Sequence, residues 1–186
     1  MTKVFVGLGN PGPSYMHNRH NVGFIVVDFL QQAFSPYKPK FNGLLSEGIL
    51  EREKIYFFKP TTYMNLSGQA VVQLLKFYQI STQDVCVIHD DLALEPLDIR
   101  IKTGGGNAGH NGLKSLDSSI GKDYTRLRIG IGHPGVKDLV SDFVLSNFSR
   151  AELLRLREFL DRFEQNPLGV FEKDPQRLSS YLQSIL

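Results

Sequence analysis

Residues 4–30 read VFVGLGNPGPSYMHNRHNVGFIVVDFL, and this stretch decides the fold class. Val4–Leu8 is a short apolar run of the strand type, and it ends in a turn rich in glycine and proline. From His20 to Phe34, apolar residues recur every three or four positions, which predicts a helix. A strand that leads through a tight turn into a helix is typical of an α/β fold.

The same alternation continues along the chain. Apolar runs predict strands at Ile49–Leu50, Ile55–Lys59, Val85–Ile88, Asp98–Lys102 and Arg126–Ile131, the first two paired as a hairpin. Helices are predicted at Ser67–Tyr78 and Gly112–Ile120, from the capping box of Ser149 and Glu152 to Phe163, and from about Pro175 onward. Residues 35–48 are predicted to be irregular, with a short strand near Leu44–Glu47. We therefore expect one α/β domain over residues 1–186, with a mostly parallel or mixed central sheet flanked by helices.

The composition excludes several classes of protein. Hydrophobic residues make up 41% and charged residues 22%, which is typical of a globular chain. The single cysteine, Cys86, cannot form an internal disulfide, which favours a reducing compartment. No apolar run of about 18 residues exists, and MTKVFVGLGN leads directly into a strand. We therefore predict no membrane span and no signal peptide, and expect a cytoplasmic protein.

Positive charge is concentrated in one segment of the chain. The net charge is only +2, but between Asp98 and Lys137 seven basic residues outnumber three acidic ones, a local excess of +4. Such an excess can hold the phosphates of a nucleic acid. On charge alone, a solvated and mildly basic surface is the simpler interpretation.

Four polar loops each follow directly after a predicted strand. They run from Asn10 to His20, Thr61 to Asn65, His89 to Asp91, and His133 to Gly135. Because sites in open α/β sheets form at the carboxyl ends of strands, we expect these loops to converge on one cleft. All five histidines (His17, His20, His89, His110 and His133) lie in or beside polar loops, which favours a functional role over a place in the core.

The stretch GLGNPG, Gly7 to Gly12, matches the dinucleotide-binding pattern GxGxxG literally. Pro11 has no N–H to offer a pyrophosphate, and Asp28, the candidate ribose-binding acid, lies within a helical pattern. A dinucleotide-dependent enzyme is therefore an alternative that rests on this motif alone. A tight turn explains the glycines equally well.

The segment HDD, His89–Asp91, closes a buried strand. A shielded carboxylate there can hold an imidazole in one tautomer, as in a hydrolytic triad, although capping of a turn by Asp90 or Asp91 explains it about as well. No GxSxG motif is present, and Cys86 lies within a strand, so water activated by a histidine is the simpler hydrolytic mechanism.

Two further motifs leave alternatives open. His17 and His20 could bind a metal together with Asp90 or Asp91, but their spacing is not distinctive, and we predict no metal. The stretch GGGNAGHNGLK, residues 104–114, exposes backbone amides near several basic residues. It is suited either to gripping phosphates or simply to connecting a strand with a helix.

Five segments, in this order, resemble the bacterial-type peptidyl-tRNA hydrolases: FVGLGNPGPSYMHNRHNVGF, KPTTYMNLSGQAV, HDDL, GGGNAGHNGLKS and RLRIGIGHP, spread over residues 5–134. The resemblance implies a single-domain α/β fold with a twisted mixed sheet, monomeric, and without metal or cofactor. It implies hydrolysis of the ester bond between a peptide, or an N-blocked aminoacyl group, and the 3′ ribose of tRNA, with release of free tRNA for reuse. An RNA-binding protein without catalysis is the alternative of another class.

The resemblance also implies residue roles. His20 would be the catalytic base and Asp90 its partner, while Asn10 would help to position substrate and water. Asn10 or Asn111 is also a candidate donor to the oxyanion. Residues that would bind substrate are Tyr15 near the tRNA 3′ end, Met64 on the peptide, and Asn65 and Asn111 on substrate or water. The tRNA phosphates would be held by Arg100, Lys102, Lys114 and Arg128. Departures from the family pattern are Asn18 in place of a common threonine, Ala93 in place of a usual acid, and residues 165–186, which match no motif.

Overall fold

A computed structural model describes residues 1–186, and one seven-stranded sheet forms its centre. The strands are β1 (Thr2–Gly7), β2 (Lys38–Lys40), β3 (Gly43–Leu50), β4 (Glu53–Pro60), β5 (Val85–Asp91), β6 (Ile99–Thr103) and β7 (Thr125–Gly130). Their order across the sheet is β2-β3-β4-β1-β5-β7-β6. Strands β4, β1, β5 and β7 are parallel, while β2, β3 and β6 run antiparallel to their neighbours. The expectation of a mixed sheet is confirmed.

Helices cover both faces of this sheet. They are α1 (Val22–Gln31), α2 (Ser67–Tyr78), α3 (Asn111–Ile120), α4 (Val140–Val144), α5 (Arg150–Phe163) and α6 (Pro175–Ile185). One core lies between the sheet and helices α1 and α5, and a second lies between the sheet and helices α2 and α3. The predicted capping box of Ser149 and Glu152 begins α5. None of the helices combines the length and hydropathy that crossing a bilayer requires.

The structure differs from the sequence prediction at residues 35–48 and at the start of α1. Strands β2 and β3 occupy most of the region predicted to be irregular, because β3 pairs with β4 over its whole length from Gly43 to Leu50. The sequence had indicated β3 only in two pieces, a short strand near Leu44–Glu47 and Ile49–Leu50 in the hairpin with β4, because β3 has no clean alternation. It gave no sign of β2, whose three residues are all exposed. Helix α1 begins at Val22 instead of His20, because Arg19–Asn21 forms a separate 3-10 turn.

Two glycines bring α1 unusually close to the sheet. A Cβ atom at Gly23 would lie 2.3 Å from the carbonyl oxygen of Ile88 and 2.4 Å from the nitrogen of Leu8. A Cβ atom at Gly7 would lie 2.3 Å from the carbonyl oxygen of Gly23. The first turn of α1, and His20 just before it, therefore rest directly on the ends of β1 and β5.

Candidate active site

A cleft of about 970 Å³ opens at the carboxyl ends of the parallel strands β1, β5 and β7. All four predicted polar loops contribute to its lining, so the expected convergence is confirmed. The predicted site residues that line it are Asn10, His20, Met64, Asn65, Asp90, Lys102, Asn111 and Arg128. The predicted site residues outside the lining are Tyr15, Arg100 and Lys114.

The side chains of His20 and Asp90 are hydrogen-bonded to each other in this cleft. His20 Nδ1 lies 2.9 Å from each carboxylate oxygen of Asp90. The Asp90 side chain is 2% exposed and that of His20 is 12% exposed. Since an ionised carboxylate only accepts hydrogen bonds, Nδ1 carries the proton and donates it. The other ring nitrogen, Nε2, therefore keeps its lone pair, and the imidazole can act as a base.

Electrostatics keep the members of this pair in the required charge states. Burial alone would raise the pKa of Asp90, but His110 and His20 lower it well below its usual range. Burial lowers the pKa of His20, but the charge of Asp90 and its hydrogen bond outweigh this, so the pKa lies above 6.5. Asp90 is thus an anion across the physiological range, and its charge makes His20 more basic than an ordinary histidine.

A second imidazole, that of His110, contacts the same carboxylate. His110 precedes α3, and its Nδ1 accepts hydrogen bonds from the backbone N–H groups of Gly112 at 3.1 Å and Leu113 at 3.3 Å. Its Nε2 lies 2.8 Å from Asp90 Oδ1. Because Nδ1 is the acceptor for the helix, Nε2 must carry the proton, and His110 donates it to Asp90.

His20, Asp90 and His110 lie close enough together to suggest a metal site, with candidate ligand atoms within 4.8 Å of one another. His17, which the sequence alternative included, does not belong to this group. Both ring nitrogens that face Asp90 carry protons, and a metal needs their lone pairs. To bind a metal, His110 would have to give up its bonds to α3. The donor set therefore does not fit a metal ion.

Asn10 has the orientation that a hydrogen-bond donor in the cleft requires. Its Oδ1 accepts the backbone N–H of Met64 at 3.1 Å, which leaves its NH₂ group free to donate. The buried side chain of Asn21 holds the Asn10 backbone through two hydrogen bonds of 2.9 Å each. Asn65 and Asn111 stand exposed on other walls of the cleft.

Basic residues gather on one face of the β6–β7 ribbon. Arg100 stands directly opposite Arg128, and Lys102 stands directly opposite Arg126. Arg128 is paired with Asp91 at 2.8 Å, and Arg100 with Asp98 at 3.1 Å. Lys102 and Arg126 face each other without an acidic partner, and because like charges directly opposite one another destabilise a sheet, this end of the ribbon favours a bound anion.

Arg126 supports the glycine-rich loop. It is 5% exposed, and it donates hydrogen bonds to the carbonyl oxygens of Gly104 and Gly106. The glycine-rich loop is thereby held against β7 and forms one wall of the cleft. It is thus more than a flexible connection between a strand and a helix.

The structure lacks two features that dinucleotide binding requires. The loop after β1 enters a 3-10 turn at Pro13–Tyr15, and the α-helix begins only at Val22, so no helix N-terminus faces the glycines. Asp28 lies within α1 and is paired with Lys59 at 2.7 Å. The motif is therefore a tight turn that positions Asn10.

Sequence reasoning did not assign a role to His110, Asn21 or Arg126. His110 had one available indication, since it lies two residues before the predicted helix Gly112–Ile120, close to where a polar side chain is expected to cap. Asn21 and Arg126 gave none, because their partners lie 11 to 22 positions away along the chain.

Comparison with known proteins gives a consistent result. The family model described as peptidyl-tRNA hydrolase matches residues 4–184. A peptidyl-tRNA hydrolase of Rhodospirillum centenum is 49% identical over 180 residues, covering 96% of this chain and 79% of its own length. The corresponding protein of Nitrobacter winogradskyi is 48% identical, covering 92% of this chain and 87% of its own length. The crystal structure of peptidyl-tRNA hydrolase from Acinetobacter baumannii superposes with a TM-score of 0.88 at 38% identity, covering 99% of this chain and 94% of that one.

Proposed function

The chain belongs to the peptidyl-tRNA hydrolase family, and we propose that His20 is the general base with which it hydrolyses its substrate. The enzyme cleaves the ester that joins a peptide to the 3′ ribose of tRNA. One observation carries the proposed role of His20: its Nδ1 lies 2.9 Å from both oxygens of Asp90, so its Nε2 is free to accept a proton.

In the proposed mechanism, Nε2 of His20 removes a proton from a water molecule that attacks the ester carbonyl. Asp90 holds the tautomer and stabilises the imidazolium that forms, without accepting the proton itself. The alkoxide of the tRNA ribose then leaves and recovers the proton from His20. An ester is a reactive substrate, so no protein nucleophile is needed.

Amide side chains supply the remaining polar groups. Asn10 is suited to stabilise the oxyanion, because its Oδ1 is occupied by Met64 and its NH₂ group remains free. Asn65 and Asn111 can donate and accept hydrogen bonds, as recognition of a peptide backbone without reading side chains requires. Met64 contributes apolar surface to the cleft beside them.

We assign the tRNA to the basic side of the cleft. Lys102 and Arg128 lie in its lining, whereas Arg100 and Lys114 are exposed beyond it and would contact phosphates farther from the ester. Tyr15, half-buried in the loop that carries Asn10, is assigned to the tRNA 3′ end outside the cleft.

We infer in addition a monomeric, single-domain enzyme of the cytoplasm that needs no cofactor. Cys86 is the single cysteine of the chain and cannot form an internal disulfide, which agrees with a reducing compartment. Sedimentation velocity tests the oligomeric state.

The decisive experiment measures hydrolysis of an N-blocked aminoacyl-tRNA by the wild type, His20→Ala and His17→Ala. His17 is a matched control, because it is an exposed imidazole three positions away and outside the cleft. We expect His20→Ala to lower kcat about 10²–10⁴-fold and His17→Ala to leave it unchanged. Chelator should have no effect on the wild type.

Retention of near-normal turnover by His20→Ala would refute the general-base assignment. Loss of wild-type turnover in chelator would require a metal at His20, Asp90 and His110. Binding of tRNA with no turnover by the wild type would leave an RNA-binding protein.

A further inference from the structure

We propose that His110 is a positioning residue: a neutral imidazole that caps α3 and donates a fixed hydrogen bond to Asp90, and so limits how strongly Asp90 acts on His20. This inference rests on the proposed role of His20 as general base. In this role His110 neither touches the reacting ester nor transfers a proton. It changes the electrostatic influence of Asp90 on His20.

The first step of the argument is that His110 is locked in one tautomer. Its Nδ1 accepts hydrogen bonds from the backbone N–H groups of Gly112 and Leu113, which are otherwise unpaired at the start of α3. Protonation of Nδ1 would set an N–H group against two other N–H groups, and α3 would lose its cap. These hydrogen bonds therefore place the proton of His110 on Nε2 and leave Nδ1 as the acceptor.

The second step is that the carboxylate of Asp90 accepts hydrogen bonds from two imidazoles. Its Oδ1 accepts the Nε2–H of His110 at 2.8 Å and lies 2.9 Å from Nδ1 of His20. Its Oδ2 lies 2.9 Å from the same nitrogen of His20. A carboxylate that already accepts one strong hydrogen bond stabilises a neighbouring imidazolium less. Without His110, Asp90 would therefore act on His20 more strongly.

The third step is that no other nearby ionisable side chain modulates the action of Asp90 on His20. His89, fully buried beside His110, is neutral because burial lowers its pKa to about 4, and it donates from Nδ1 to the backbone carbonyl of Asp90. On the same strand, the charge of Asp91 is compensated by Arg128. The other charged groups that line the cleft are Lys102, Arg126 and Lys137, and none bonds to His20 or Asp90.

The cap also fixes the position of a substrate-binding residue. Asn111 is the first residue of α3 and follows His110 directly, so the bond from His110 to Asp90 ties Asn111 to the catalytic pair. The backbone at Gly112 packs closely against Met64, since a Cβ atom there would lie 2.6 Å from Met64 Sδ.

The test separates the hydrogen bond that His110 donates to Asp90 from the hydrogen bonds with which it caps α3. His110→Asn and His110→Ser keep a side chain that caps helices well, but both are too short to reach Asp90. His110→Gln is long enough to donate to Asp90, and it cannot ionise. The pH dependence of kcat/KM is measured for each variant with an N-blocked aminoacyl-tRNA, together with kcat, KM and Tm.

We expect the acidic limb of kcat/KM to move to higher pH by about 0.5–1 unit in His110→Asn and His110→Ser. In His110→Gln the limb should return towards the wild-type position, even with a lowered Tm. A cap alone would change Tm and leave the limb in place.

The proposal is overturned if the limb stays at the wild-type pH in a folded Asn or Ser variant, or if it shifts equally in all three. Either cap-preserving variant decides the question if the other does not fold. Failure of the proposed function itself would be seen separately, as normal turnover in His20→Ala.

Discussion

The side-chain amide of Asn21 bonds the backbone of Asn10 in both directions. Asn10 N–H donates to Asn21 Oδ1, and Asn21 Nδ2 donates to Asn10 O, each over 2.9 Å. Asn21 is 2% exposed, and it follows His20 directly in the chain. One buried amide therefore fixes the proposed oxyanion donor relative to the proposed base.

Asn21→Asp tests this clamp. The carboxylate can still accept the Asn10 N–H, but it cannot donate to the Asn10 carbonyl and would repel it. We expect a loss of about 1–3 kcal/mol in the free energy of unfolding and a lower kcat. Urea unfolding and turnover measure the two effects. Gln69→Glu, the same chemical change at an exposed position of α2, should alter neither; equal losses in both variants would contradict the clamp.

Gly23→Ala should separate His20 from Asp90 without touching either side chain. The added methyl group would meet the Ile88 carbonyl oxygen at 2.3 Å, so α1 must move outward. We expect a loss of about 1–3 kcal/mol in stability together with a fall in kcat. Thermal unfolding and turnover check this.

Gly106→Ala is the matched control for stability, because nothing lies within 4 Å of a Cβ atom there. Its unfolding free energy should change by no more than about 1 kcal/mol. Wild-type stability in Gly23→Ala would mean that the close approach of α1 is not required.

The pH profile of the wild type should report His20. The free base is the active form, and the pKa of His20 lies above 6.5, so kcat/KM should rise with pH along a limb centred above that value. In Asp90→Asn the negative charge is lost while burial remains, so the limb should move to lower pH and kcat should fall. A limb that keeps its position in Asp90→Asn would contradict the pairing.

His89 should make the protein sensitive to acid. Burial lowers its pKa to about 4, below the 6.5 of the ordinary side chain, so the unfolded chain binds the proton more readily. The stability it contributes is complete above about pH 6.5 and is lost as the pH falls towards 4. The loss is about 3 kcal/mol at most, since each pKa unit corresponds to about 1.4 kcal/mol.

Urea midpoints between pH 4 and 7 measure this effect. The variant His89→Gln, which retains an N–H donor but does not titrate in this range, should show a flatter dependence on pH. An equally steep dependence would place the acid sensitivity elsewhere.

Phosphate contacts should appear in the salt dependence of tRNA binding. Lys102→Ala and Arg128→Ala should each reduce the slope of log Kd against log salt by about 0.7–0.9. Lys76→Ala, an exposed lysine at the end of α2 away from the cleft, should leave the slope unchanged. Equal slopes in all the variants would remove the basic ribbon from the tRNA-binding surface.

The sequence indicated the parts of this structure that local chemistry determines. The strand Val85–Ile88 and the helix Ser67–Tyr78 were found from their apolar patterns, and the convergence of the polar loops follows from the rule on strand ends. The resemblance then identified His20 and Asp90, which the fold brings into contact across 70 positions of sequence.

Features that depend on long-range pairing gave only partial local indications or none. Strand β3 was predicted only in two short pieces, because its residues do not alternate cleanly, and its continuity from Gly43 to Leu50 follows from its register with β4. His110 bonds to Asp90 twenty positions away, and nothing in the sequence specifies which of its nitrogens faces the carboxylate. Periodicity can locate an element, but it cannot say which side chains of distant elements meet.

The facing pair Lys102–Arg126, which has no acidic partner, also affects the stability of the folded protein. A polyanion laid across them relieves their mutual repulsion, and a ligand that binds only the folded chain raises its unfolding free energy through mass action. A tRNA bound there, as we propose, would stabilise the folded enzyme. The amount of intact enzyme should therefore rise and fall with the supply of tRNA, independently of turnover.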